Sequence, residues 1–120
     1  MQCIICIIYT YAYNVIHIIY ITDNLICNIG NTYKSLEQYD NAIDAYKQAI
    51  YINKHYTPAY NNLSIIYYEK HEYKQAICIL KEVLLIDSGF IDAMNNLGNI
   101  CIYIIIITIY THSIHICIYV

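Results

Sequence analysis

A shift of 34 residues lays this chain on itself. Asn28 falls on Asn62 and Asn96, Tyr33 on Tyr67, Tyr39 on Tyr73, Ala42 on Ala76 and Lys47 on Lys81. No other feature constrains the fold as tightly. A repeat of this length is one supersecondary unit that cannot bury its apolar face alone, so the units must stack on one another. Between the repeated positions apolar residues recur at helical spacing with charged residues among them, which predicts paired helices.

The periodic stretch is also the only charged one. Every Lys, Asp and Glu lies between Asp23 and Asp92. Residues 1–22 and 100–120 are charge-free, and 18 of their 43 positions are isoleucine. Such composition admits three readings: a membrane span, an aggregation-prone strand, or translated simple-sequence DNA. Both stretches are long enough to span. Gln2, Asn14, His17, His112, Ser113 and His115 count against a span, as does the missing Lys/Arg cluster at either border. The N-terminal stretch has neither the basic start nor the small-residue cleavage site of a secretory signal. The DNA reading rests on codons: of the 43 positions, only Gln2, Asn14 and Ser113 fall outside the residues that alternating purine–pyrimidine codons encode. It predicts a mature message without these stretches.

At 120 residues the chain fits one domain rather than a multidomain enzyme, and its hydrophobic content argues against a disordered tail. A net charge of -3 with no arginine leaves no electrostatic footprint for nucleic acid. Cys3 and Cys6 form a CxxC and His112 and His115 an HxxH, but over a hundred residues separate the pairs, whereas zinc motifs are locally spaced. Cys27, Cys78 and Cys101 read as small hydrophobes of a reducing compartment. Neither a nucleophile–base pair nor a phosphate loop is visible. Asp40, Asp44, Glu69 and Glu72 read as solvated faces. The expectation is a non-enzyme with no cofactor and no metal.

The repeated residues resemble the tetratricopeptide repeat family over residues 23 to about 102. Ile29-Gly30 and Tyr33 take the places of that family's Leu-Gly and Tyr, with Ala42, Tyr46 and Ala49 at the second-helix positions. The next unit has Leu63-Ser64, Tyr67, Ala76, Leu80 and Val83 there. A third opens with Leu97-Gly98 and then departs from the pattern, with Tyr110 where a small residue belongs. The resemblance implies an all-α fold: antiparallel helix-turn-helix hairpins stacked as a short solenoid, with low-complexity apolar flanks. The implied organisation is flank 1–22, unit 23–56, unit 57–90, first helix of an incomplete unit 91–102, and flank 103–120. Gly30, Ala42 and Ala76 are expected to permit close helix approach, while Tyr33, Tyr46, Tyr67 and Leu80 fill the gap between hairpins. Thr57 is expected as an N-cap with Pro58 in the first turn, and Asp87-Ser88-Gly89 as a stop. The family's unit-closing proline is replaced by Lys54 and Ser88. The helix from about Asp92 to Cys101 is expected to cap the second hairpin.

Asparagine is a mediocre helix former, so its recurrence inside helices asks for a reason. Asn28, Asn62 and Asn96 hold one repeated place, Asn31 and Asn99 lie a turn further on, and Asn61 and Asn95 sit beside the row. The row is similar to that in the repeats of O-linked N-acetylglucosamine transferases, where such amides grip an extended polypeptide. This resemblance implies a peptide-binding groove made of these seven residues. The alternative is that the amides only join neighbouring helices. A related groove that clamps a terminal carboxylate uses basic residues, and Cys27, Asn28, Asn31, Asn61, Asn62 and Ile65 stand in those places instead. The expected function is a protein-interaction adaptor or scaffold for extended peptides. The second reading is the substrate-binding repeats of such a glycosyltransferase, and the third a membrane-anchored adaptor. The expected location is cytoplasmic or nuclear, or membrane-bound if a flank is a true span.

Overall fold

The computed structural model describes residues 2–119, among which there are five helices and no strand. They are α1 (Gln2–Ser35), α2 (Tyr39–Ile52), α3 (Thr57–Glu69), α4 (Tyr73–Ile86) and α5 (Ile91–Tyr119). α1 pairs with α2 and α3 with α4 as hairpins, and α5 packs on the second of them.

The repeat is visible in the turns. Glu37 and His71, 34 residues apart, both adopt positive φ, 58° and 61°. Each follows a helix, and the next N–H reaches back over the turn: Gln38 N donates to Tyr33 O at 2.9 Å and Glu72 N to Tyr67 O at 2.8 Å. These bonds satisfy carbonyls that would otherwise be orphaned at a helix C-terminus. The third helix starts differently from expectation. Thr57 is the first helical residue rather than its cap, Tyr56 precedes the helix, and no side chain caps it. The first carbonyl the helix uses is that of Tyr56, which accepts the Ala59 N–H at 3.2 Å, so Thr57 falls in the first turn. Pro58 sits in that turn, where a missing N–H costs nothing. α4 stops at Ile86, and Asp87 Oδ1 accepts the Gly89 N–H at 3.0 Å, as the Asp-Ser-Gly stop suggests.

Packing follows the same register. Ala42 and Ala76, Tyr46 and Leu80, and Ala49 and Val83 are pairwise equivalent and all buried. So are Ala59 with Ala93 and Ile66 with Ile100. The first set closes each hairpin, and the second lays α3 and α5 on the hairpin before them. The α1 equivalents of Ala59 and Leu63 are Leu25 and Ile29. They are 58% and 44% exposed, because no hairpin precedes them. Tyr46 packs within its own hairpin as well as toward α3: a Cβ placed on Gly30 would lie 2.6 Å from the Tyr46 ring. Glycine at position 30 is therefore a requirement of close approach.

The charge-free flanks are helical, which removes the strand reading over 2–22 and 103–119; Met1 and Val120 lie outside the described residues. Helix formation is costly to nucleate and cheap to extend, so helices already held by hairpin packing propagate through flanks that contain neither Gly nor Pro. α1 crosses position 22 and α5 crosses position 102 without a break. Tyr103 is packed against Tyr68 and Tyr73, with ring centroids 6.1 and 5.4 Å away. By helical rise α1 is about 51 Å long and α5 about 43 Å. The longest dimension of the molecule is 85 Å, which neither helix reaches alone. The apolar half of α1 and the apolar half of α5 thus leave the hairpins in opposite directions.

Candidate functional site

α1, α3 and α5 lie side by side, and the recurring asparagines fall on them. Asn62 Nδ2 donates to Asn31 Oδ1 at 2.9 Å and Asn96 Nδ2 donates to Asn61 Oδ1 at 2.7 Å. Two amide pairs therefore stitch α1 to α3 and α3 to α5. Tyr46 Oη donates to the same Asn31 oxygen at 2.7 Å, so the first pair is also anchored to α2. Asn62 further points its Nδ2 at Cys27 Sγ, 3.6 Å away. Burial pushes the Cys27 thiol up from its ordinary value, partly offset by hydrogen bonds from Asn62 and Tyr56. Burial likewise pushes the Tyr46 phenol up to about 12.

The seven sequence-predicted residues divide into three groups. Asn31, Asn61, Asn62 and Asn96 form the interhelical pairs. Asn28 is exposed and bonds within its own helix, donating to Asn24 Oδ1 at 3.0 Å. Asn95 and Asn99 are exposed. The equal spacing of Asn28, Asn62 and Asn96 thus does not give three equal rungs. Pairing runs diagonally, 31 to 62 and 61 to 96. An amide has two donors and an acceptor with two lone pairs; in the first pair the Asn31 oxygen and the Asn62 Nδ2 are each used twice, so its further capacity lies in Asn31 Nδ2 and Asn62 Oδ1.

A cleft of about 250 Å³ opens between α3 and α5. Its lining is Ser64, Ile65 and Tyr68 from α3, with Asn96, Asn99 and Ile100 from α5. Apolar floor and amide edge meet in one place, and no carboxylate or ammonium group lines it. Ile65, Tyr68 and Ile100 were not singled out as groove residues from sequence. The only signal was that Ile65 stood at a position where a carboxylate clamp would carry a basic residue.

The carboxylates read as solvated faces are partly engaged between hairpins. Lys34 Nζ lies 3.3 Å from Glu69 Oε1, and Lys70 Nζ lies 3.1 Å from Asp40 Oδ1 and 3.5 Å from Glu72 Oε1. The Asp40 bond raises the Lys70 ammonium above its ordinary value. Asp23, the first charged residue, is fully buried: its Oδ2 accepts from Asn53 Nδ2 at 2.6 Å and its Oδ1 has no partner. Neighbouring Asn24 donates to Tyr56 Oη at 3.2 Å, so two side chains of α1 grip the α2–α3 turn. Cys3 and Cys6 lie on the outer half of α1, and His112 and His115 on the outer half of α5. No group of three or more potential metal ligands is present among the described residues.

Stacked antiparallel helical hairpins with a 34-residue register define the class, a helical-repeat scaffold. Residues 24–56 match the family model described as Tetratricopeptide repeat. The chain is similar in structure to MamA, whose crystal structure is 28% identical with a TM-score of 0.62 over 66% of this chain. That match covers 46% of MamA, so the chain spans less than half of this relative. It is also similar to the first TPR of Spaghetti (RPAP3) bound to HSP90 peptide SRMEEVD, at 19% identity and a TM-score of 0.43, covering 69% of this chain and 93% of that one. No curated protein matches the sequence.

Proposed function

We propose that the chain is a protein-interaction module whose α1–α3–α5 face receives an extended polypeptide. The observation that carries this reading is the amide-edged apolar cleft between α3 and α5. An extended peptide offers alternating side chains and unpaired backbone amides. The cleft offers space for an apolar side chain, with Asn96 and Asn99 at its edge to bond the backbone beside it.

Asn99→Ala tests the groove with little risk to the fold, because Asn99 is exposed. Against an array of extended peptides, the variant is expected to bind about 3- to 10-fold more weakly, the worth of one neutral hydrogen bond. Its circular dichroism should be unchanged. Ile65→Arg, which places bulk and charge in the cleft, should abolish the same signals. Unchanged binding in both variants would sink the proposal.

The amide row also supports the second reading, that these are substrate-binding repeats resembling those of O-linked N-acetylglucosamine transferases. Amides that grip backbone tolerate many side chains. Under this reading, N-methylation of the peptide backbone weakens binding while scrambling the peptide sequence does not. The adaptor reading expects the scrambled peptides to lose binding.

A further inference from the structure

Independently of the groove, we propose that the outer half of α1, residues 2–22, is a membrane anchor whose partner is the hydrocarbon core of a bilayer. Ile4, Ile5, Ile7, Ile8, Tyr13 and Ile16 are all between 53% and 67% exposed, so the rod is apolar over most of its circumference, with Thr10, Asn14 and His17 on the remaining face. A second copy of the chain would cover one side of such a rod. Lipid covers the wide apolar arc that one copy would leave bare, and helices apolar over most of their surface are found buried in large cores or in membranes.

Length and internal bonding agree with this occupant. Twenty-one residues of helix measure about 31 Å, against roughly 30 Å of hydrocarbon. An 18-residue window of α1 has a mean hydropathy of 1.8, and none of that window is buried. A helix satisfies its own backbone, as a bilayer demands. The rod's two threonine hydroxyls are satisfied as well: Thr10 Oγ1 donates to Cys6 O at 2.8 Å and Thr22 Oγ1 to Ile18 O at 2.7 Å. Its other polar groups are Gln2, Asn14, His17 and the phenols of Tyr9, Tyr11, Tyr13 and Tyr20, and the His17 ring stacks on Tyr13 at 5.9 Å. The rod ends at Asp23 and Asn24, whose bonds to Asn53 and Tyr56 fix its base to the hairpins. The apolar half of α5 leaves from the opposite end, so it points away from a bilayer that holds α1. It also carries His112, Ser113 and His115 well inside its length.

The test is flotation of the full chain with phosphatidylcholine vesicles on a density gradient after an alkaline wash. The wild type is expected in the floated layer. Ile8→Lys combined with Ile16→Lys puts two charges at mid-span while keeping good helix formers. This variant is expected to stay at the bottom, with helicity in detergent and peptide-array signals unchanged. Deletion of residues 104–119 should leave flotation intact. Wild-type protein left at the bottom, self-associated or not, overturns the proposal. So does a lysine variant that still floats, or an α5 deletion that releases the chain.

Discussion

At Gly30 a missing side chain decides how closely α1 and α2 approach. Tyr46 is fully buried and its ring sits where a Cβ would go, so neither partner can yield. Gly30→Ala is expected to destabilise the fold by about 1–3 kcal/mol, as overpacking does. Urea unfolding measures this, and Tyr46→Leu in the same chain should recover part of the loss by removing the ring. Tyr46 also sets an alkaline limit. Its phenol titrates near 12 when folded and near 10 when unfolded. A raised phenol favours the folded state while it stays protonated, so this contribution is fully present below pH 10 and is lost as pH rises toward 12. Unfolding free energy is expected to fall across that window, and Tyr46→Phe should flatten the fall. The pairing partner of each asparagine was not legible in the sequence. The period aligned Asn28 with Asn62 and Asn96, but which amides meet depends on how each helix is rotated about its axis.

Among the elements, the hairpin turns and the open edge of the first hairpin carry the consequences of repetition. Glu37 holds a positive φ that costs an ordinary residue about 1 kcal/mol and glycine little. Glu37→Gly is therefore expected to raise the melting temperature by a few degrees. Leu25 and Ile29 remain exposed because the residues that cover their equivalents belong to a preceding unit. Placing a copy of residues 57–90 directly before Asp23, in place of the flank, should bury both and add stability as each added repeat does in a solenoid. A thermal melt without an upward shift would show that this edge does not accept a hairpin. Helix existence and hairpin pairing were readable from the 34-residue period and the 3.6-residue apolar spacing. The start of α3 was not, because the helix takes its first acceptor from Tyr56 O, one residue before the Thr57 that the sequence suggests as cap.

The whole molecule is a short solenoid extended at both ends by apolar helix. Its radius of gyration is 20.1 Å, whereas a compact chain of this length would have about 14 Å. Small-angle scattering of a fragment limited to residues 23–103 is expected to give about 12–13 Å. That range includes Tyr103 because its ring completes the contact with Tyr68 and Tyr73. Composition showed that the flanks differ from the repeats, and left span, strand and translated simple repeat open. Their helical continuity with α1 and α5, and their divergence in direction, arise only once the hairpins are packed.

Sequence alone determined the class of fold, since a period of 34 with helical apolar spacing has one economical solution in stacked hairpins. It also located the small residues, the buried positions and the face that carries the amides, all of which follow from the period. The tertiary structure decided which amides pair, where the α3–α5 cleft opens, and that the two apolar rods point apart. Those depend on helix rotation and crossing angle, which are set by the fit of side chains such as Tyr46 on Gly30 and are not encoded in spacing along the chain.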